Sequence, residues 1–381
     1  MTISNAERLK KLLAGGPRKI LPSSHANKKT VFALLAFLAL YLIFYPAPVD
    51  PAALNSPTMA EHKSEPLGEI EVLFDRNCQS CEDISIVGEQ LYTGHGDGRL
   101  LRFSLTGDDR MTEVVQFEGR PLGLEVLGDS LAWVCVEQEG LARVDLRTGT
   151  YEVVTNSFND TTFQLIDYLD VAASGNVYFT DASDKFGDDD LQYDVLEGRP
   201  HGALYRYNVT TNTTERILDN LYFANGVVVD PAEEFVLVAE TSGFRIQKLW
   251  LKGPKAGQTE IFIEGLPGWP DGISLGSDGL IYCTLISPRT ALHDFILPHP
   301  WTRRLVTKLP KSFLPKPVKA NRILALDDNG RIVHDWADDE PGFSSISSLE
   351  RIEDIIYFGT LDEAGIGKMV APATMNQRTT F

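Results

Sequence analysis

Positive charge is scarce in this chain once its first 29 residues are passed. The 381 residues carry 35 Lys/Arg against 53 Asp/Glu, a net of -18. Residues 1–29 hold seven Lys/Arg and one acid, Glu7, a local +6, so residues 30–381 carry -24. That balance excludes a nucleic-acid-binding body, because phosphate binding needs a basic footprint. Cysteine is scarce too, with only Cys78, Cys81, Cys135 and Cys283. Cys78-x-x-Cys81 resembles half a zinc site, but no second pair completes one, and disulfides or free thiols are the simpler readings. The seven histidines form no H-E-x-x-H and no close metal-binding pair. Outside 287–320, no stretch of the body keeps a helical apolar period, which excludes a helical body.

Long apolar runs are missing with one exception, "TVFALLAFLALYLIFY" at 30–45, which carries no charge. With Pro46–Val49 it approaches the ~20 residues that span hydrocarbon. The 29 basic-rich residues ahead of it exceed the usual leader of a cleaved signal peptide, so residues 30–49 read as an uncleaved signal-anchor. The excess of Lys/Arg on its N-terminal side places residues 1–29 in the cytosol and residues 50–381 in the lumen or outside. This is a single-pass type II arrangement in the secretory pathway, at the endoplasmic reticulum or plasma membrane. Sequons at Asn159, Asn208 and Asn212 agree with glycosylation on that side. Residues 50–68, dominated by Pro, Ala, Ser and Glu, read as a stalk.

What the body does have is repetition. "GRLLRFSLTGDDRMTEVV" (98–115), "GLARVDLRTGTYEVV" (140–154), "GALYRYNVTTNTTERIL" (202–218), "FRIQKLWLKGPKAGQTEIFI" (244–263) and "NRILALDDNGRIVHDW" (321–336) each read as strand, turn, strand, and "GIGKMV" is a frayed sixth copy. Equivalent residues Phe103, Val144, Tyr207, Leu249, Leu326 and Met369 are spaced by 41, 63, 42, 77 and 43. Insertions at 184–201 and 287–320 account for the two long intervals. A second pair of strand-like runs precedes each phrase. Four strands every 42 or so residues predict an all-β fold, a six-bladed β-propeller with four-stranded blades over residues 69–371, followed by a tail at 372–381. "EIEVLF" (69–74) is the candidate to close the last blade.

In a propeller the innermost strands of all blades begin at one rim. The residues just ahead of them are Glu82, Pro121, Asp167, Asn225, Asp271 and the serines near Ser345. A single polar residue at a strand mouth is an ordinary cap. Four oxygen donors at equivalent positions, however, converge on one axis, where three carboxylates would repel one another unless a cation joined them. Asp, Glu and an amide oxygen without His or Cys favour Ca²⁺ over zinc.

The stretches "VYFTDAS" (177–183), "YDVLEGRPHGALYRYN" (193–208), "FANGVVVDPAEEFVLVAET" (223–241), "PGWPDGIS" (267–274) and "YFGTL" (357–361) resemble the strictosidine synthase-like family, most of all its animal membrane-anchored branch, the adipocyte plasma membrane-associated proteins. The resemblance covers roughly residues 67–371. It implies a six-bladed propeller, an N-terminal signal-anchor and kinship with calcium-dependent lactonases and arylesterases. In those relatives Glu, Asn, Asn and Asp hold the catalytic Ca²⁺, which by motif implies Glu82, Asp167, Asn225 and Asp271 here, with Asp167 replacing an Asn. Asp271 is the candidate catalytic nucleophile or general base for hydrolysis of an ester or lactone substrate. Lid residues Trp269, Phe295 and Trp301 are candidates for an apolar substrate wall. Condensation chemistry of the strictosidine synthase kind would need an acid in "GFSSISSLE", where serines stand and Glu350 falls inside the strand. "GISLG" (272–276) matches a nucleophile elbow centred on Ser274, but in a strand-turn-strand context rather than strand-turn-helix. The alternative is a non-catalytic propeller with structural calcium that binds a protein or lipid partner.

Overall fold

The computed structural model describes residues 28–55, 57–59, 62–106, 110–314 and 316–372. Most of the expected basic tail and nearly all of the expected C-terminal tail lie outside the described residues. Two compact units are present, Met1–Pro46 and Ala47–Phe381.

In the first unit a helix, α1, runs from Lys28 to Phe44. Leu, Phe and Ala, none of them β-branched, dominate it, and Pro46 cannot continue it. Its 17 residues rise about 25 Å, against a hydrocarbon core of roughly 30 Å. No helix among the described residues is long and apolar enough to cross a membrane. The span expected over 30–49 is therefore shorter as a helix than the sequence implies.

Six antiparallel blades make up the second unit. Blades one to four are continuous four-stranded meanders starting at Ile84, Pro121, Ile166 and Ala224. Blade five starts at Gly268, and blade six at Ile346. As expected, residues near 69–74 close the ring: Glu71–Leu73 pairs antiparallel with Ile366–Val370, so the outer strand of blade six comes from the N-terminal side. Closure in this way completes the sixth blade, and radial repetition leaves only short, protected edges. Between each pair of neighbouring blades the inward residues of the two sheets form an apolar layer; that between blades three and four holds Tyr178, Leu204, Val227, Val229, Val236 and Val238. Such burial is worth about 1.5–3 kcal/mol per large apolar side chain.

The two insertions form a lid. The first contains helix α2, Leu191–Glu197, which ends at left-handed Gly198. The second contains α3, Ala291–Ile296, and α4, Pro300–Val306. Residues expected to be a stalk run across this lid: Ala52 N–H donates to Glu197 O at 2.9 Å and Leu54 N–H to Leu297 O at 3.0 Å. Glu65–Pro66 then adds a parallel fifth strand to blade five beside Trp336 and Ala337. Arg303, fully buried, ties strap and lid together. Its guanidinium donates to Leu196 O at 3.0 Å, to Leu297 O at 2.8 Å and to Ala52 O. Burial without a carboxylate partner pushes its pKa down to about 10.

Cys78 and Cys81 form a disulfide, while Cys135 and Cys283 are buried thiols. Asn159 is exposed in a two-residue hairpin turn between Ser157–Phe158 and Thr161–Thr162. Asn212 is exposed and Asn208 half-buried in the neighbouring turn of blade three.

Candidate functional site

Asp167, Asn225 and Asp271 reach the hub through the same backbone irregularity. Strand pairing slips between Ile166 and Leu169, between Ala224 and Val227, and between Pro270 and Ile273. Each donor is thus the first residue of a bulge, a feature that re-aims a side chain out of the regular alternation. Blades two and six slip likewise between Pro121 and Leu124 and between Ile346 and Leu349. Their equivalent residues are therefore Leu122 and Ser347, one and two places beyond the Pro121 and Ser345 expected from the sequence. Glycine follows two of the donors because neighbouring inner strands nearly touch there. A Cβ on Gly226 would meet Asp271 O at 2.4 Å, and one on Gly272 would meet Ser347 O at 2.4 Å.

All four expected donors, Glu82, Asp167, Asn225 and Asp271, line one cavity of about 120 Å³. Asn225 Nδ2–H donates to Thr241 Oγ1 at 3.2 Å, and Thr241 Oγ1–H donates to Pro270 O at 2.7 Å. That chain ties back the amide nitrogen and leaves Asn225 Oδ1 buried without a hydrogen-bond partner, as is Asp271 Oδ2. Burial raises the pKa of Asp271 well above the usual carboxylate range, with Glu82 adding repulsion and the Asn225 side chain opposing it. Asp167 is raised well above that range by burial first, then by Glu82, Asp271 and Asp188. Glu82 is raised by burial, against the pull of Arg120.

Arg120 is the residue that sequence reasoning missed. Its guanidinium stands 2.7 Å from Glu82 Oε2 as an ion pair and 4.0 Å from Asp188 of the lid. The signal was present, since Arg120 immediately precedes Pro121 at the mouth of blade two. Among the described residues no three or more His, Cys, Asp or Glu side chains stand close enough together to hold a metal ion. The donor set still fits a hard cation in kind: three buried carboxylates, one tied-back amide, and two buried oxygens left without donors.

A second, apolar cavity of about 130 Å³ adjoins the first and shares Leu191, Val195, Trp269 and Pro317 with it. Phe244, Ile296 and Leu297 also line it, and Ser242 Oγ and Trp269 Nε1 are buried there without partners. Of the three residues expected in an apolar wall, Trp269 alone lines this cavity. Phe295 and Trp301 face outward, 56% and 61% exposed.

The family model described as strictosidine synthase matches residues 167–254. Strictosidine synthase-like 6 of Arabidopsis thaliana is 31% identical over 278 residues, covering 71% of this chain and 73% of the relative. The adipocyte plasma membrane-associated protein of Gallus gallus is 30% identical over 317 residues, covering 75% and 76%. The chain belongs to the strictosidine synthase-like family. Among solved structures, a gluconolactonase of Xanthomonas campestris superposes with a TM-score of 0.57 at 15% identity, covering 86% of this chain and 97% of that one. A calcium-binding regucalcin of Agrobacterium tumefaciens superposes with a TM-score of 0.57 at 13% identity, covering 81% and 95%. These two establish the shared propeller fold.

Within this strictosidine synthase-like propeller the other chemical candidates take structural roles. Ser274 Oγ–H donates to Leu349 O at 2.6 Å inside a strand, so it is no nucleophile elbow. Glu350 Oε2 accepts from Ile86 N–H at 2.8 Å, tying blade six to blade one. His95 pairs with Asp97, and His201 with Glu197 and Asp184, all away from the cavity of the four donors.

Proposed function

We propose that the protein is a calcium-dependent hydrolase of esters or lactones, with Glu82, Asp167, Asn225 and Asp271 holding the ion and Asp271 acting in catalysis. The observation that supports this reading most is the tied-back amide of Asn225, which leaves its Oδ1 and the neighbouring Asp271 Oδ2 buried with no donor. When bound, Ca²⁺ would polarise the carbonyl oxygen of the substrate. Asp271, ionised, serves as nucleophile or as the base that takes a proton from water. Its raised pKa makes ionisation the step that needs help, and a neighbouring cation lowers a carboxyl pKa. Arg120 balances part of the charge at Glu82 and leaves Asp271 the more basic carboxylate. Trp269 and the apolar cavity beside the donors seat the non-reacting part of the substrate and keep water from it.

The Arg120–Glu82 ion pair also favours a second reading, a propeller that binds a partner without turnover, since a built-in cation already offsets one carboxylate. Hydrolysis of phenyl acetate and of a panel of lactones by the full chain, with and without chelator, separates the two. Turnover that chelator and Asp271→Asn both abolish supports the hydrolase, whereas no turnover on any substrate supports the binding reading. In either case we propose that residues 30–49 anchor a type II membrane protein of the secretory pathway, glycosylated at Asn159, Asn208 or Asn212. Protease protection of residues 50–381 in sealed microsomes, with glycosidase-sensitive mobility, tests this.

A further inference from the structure

Among the described residues of the propeller unit, the exposed aromatic side chains are Phe295, Trp301 and Phe313, and all three lie in the blade-five insertion 287–320. Phe313 is 73% exposed, and Leu292, Leu305 and Val318 join them at 54%, 39% and 50%. Solvated surfaces usually scatter such residues singly. Here helical spacing pairs four of them, Leu292 with Phe295 and Trp301 with Leu305. On α4, Trp301, Arg304 and Leu305 stand at i, i+3 and i+4, which is one face. On α3, Leu292 and Phe295 face outward, while His293 and Ile296 of the same helix and the following Leu297 line the apolar cavity.

The same insertion reverses the charge of its surroundings. It carries seven Lys/Arg and one acid, Asp294, a formal +6, in a chain whose residues 30–381 total -24. Arg304, Lys311, Lys316 and Lys319 are exposed on it. Lys311 and Lys319 lean on Asp190 and Glu363, each at 2.7 Å, and Arg304 and Lys316 carry further exposed positive charge. Exposed large aromatic and aliphatic side chains on a basic segment are the composition of segments that lie in a bilayer interface, where the rings settle at headgroup depth and the cations meet anionic lipid.

We infer that the 287–320 insertion is an interfacial docking surface for an anionic lipid bilayer, entered by Leu292, Phe295, Trp301, Leu305 and Phe313. A second copy of the chain is the poorer occupant, because a twofold contact would set this basic patch against itself. Docking would place the outer face of α3 in lipid and its inner face on the apolar cavity, a short route for a lipid-soluble ligand. The inference stands apart from the chemistry proposed above, since it needs neither turnover nor calcium.

Tryptophan quenching tests it directly. The chain has five tryptophans; α1 contains none, Trp133 and Trp336 are buried, Trp250 and Trp269 are half-buried, and Trp301 is exposed. The full chain is reconstituted in phosphatidylcholine/phosphatidylserine vesicles whose acyl chains carry bromine, and Trp301→Phe identifies the share of the signal due to Trp301. Expected is bromine quenching of the Trp301 component, weakened by high salt and in pure phosphatidylcholine. It should be lost in a Phe295→Ser, Leu305→Ser, Phe313→Ser variant whose melting matches wild type. Arg304→Glu with Lys316→Glu, at exposed positions, should weaken it while leaving every apolar side chain of the patch in place. Emission from Trp301 that bromine leaves unchanged would overturn the inference. So would a wild-type dimer in detergent that the triple variant converts to monomer, which would assign the patch to a second copy.

Discussion

Replacing Arg120 by leucine removes the cation that pairs with Glu82 at the hub, and its consequence should depend on calcium. Glu82 is 6% exposed, and the Arg120 side chain beside it 17%. Breaking a buried ion pair by deleting one partner costs about 3–5 kcal/mol, because the surviving charge is left in a poorly solvating site. Partial exposure of Arg120 puts the expected loss near the low end, about 3 kcal/mol. That loss applies to calcium-free protein, where Glu82, Asp167 and Asp271 repel one another without relief. With calcium at 100 times its dissociation constant, binding to the native state alone contributes about 2.7 kcal/mol. The variant should gain at least that much, because the ion meets one less like charge in the cavity. Thermal melts of wild type and Arg120→Leu, each in chelator and in excess calcium, give the four values needed. The gap between the two proteins should be wide in chelator and narrow in calcium. Equal gaps in both conditions would refute the reasoning, since the ion would then not share the carboxylates that Arg120 serves.

Gly226→Ala should destabilise by about 1–3 kcal/mol or more, because its Cβ would meet Asp271 O at 2.4 Å and Ile273 N at 2.5 Å and force two inner strands apart; a melt identical to wild type would contradict this. Calcium-free protein should lose stability as pH rises. Burial pushes Asp83, Asp181 and Asp194 up to about 7 and Glu350 up to about 8, so the native state keeps protons that the unfolded chain releases near pH 4. The stability these groups contribute is complete below about pH 4 and drains away up to pH 7–8, which melting temperatures from pH 5 to 8 should follow downward. Deleting residues 69–74 should unzip blade six and lower the melting temperature sharply, because Glu71–Leu73 supplies its outer strand.

The propeller was legible because its repeat is written in strand alternation and turn residues, which report local structure directly. The closing strand at 69–74 was legible for the same reason. The convergence of the candidate site residues on one cavity was legible, their register less so. Equivalence by repeat picked out Asp167, Asn225 and Asp271, yet bulges leave no mark in an alternating pattern, so the matching residues in blades two and six proved to be Leu122 and Ser347. Arg120 was not legible because an array of oxygen donors points to a metal, while the hub's charge balance also uses a cation from the mouth of blade two. Phe295 and Trp301 were misassigned to the cavity wall because apolar character alone does not say which side of a short helix meets the core. Asn225, finally, occupies the opening of an apolar strand because the bulge there turns its side chain into the hub and Gly226 lets the next blade approach.

Isothermal titration of the full chain with calcium, after exhaustive chelation, tests the central claim most directly. One ion per chain is expected, with affinity that rises from pH 5 to 8 and is lost in Asp271→Asn. Absence of binding heat at every pH, confirmed by dialysis against labelled calcium, would contradict a cation held by Glu82, Asp167, Asn225 and Asp271.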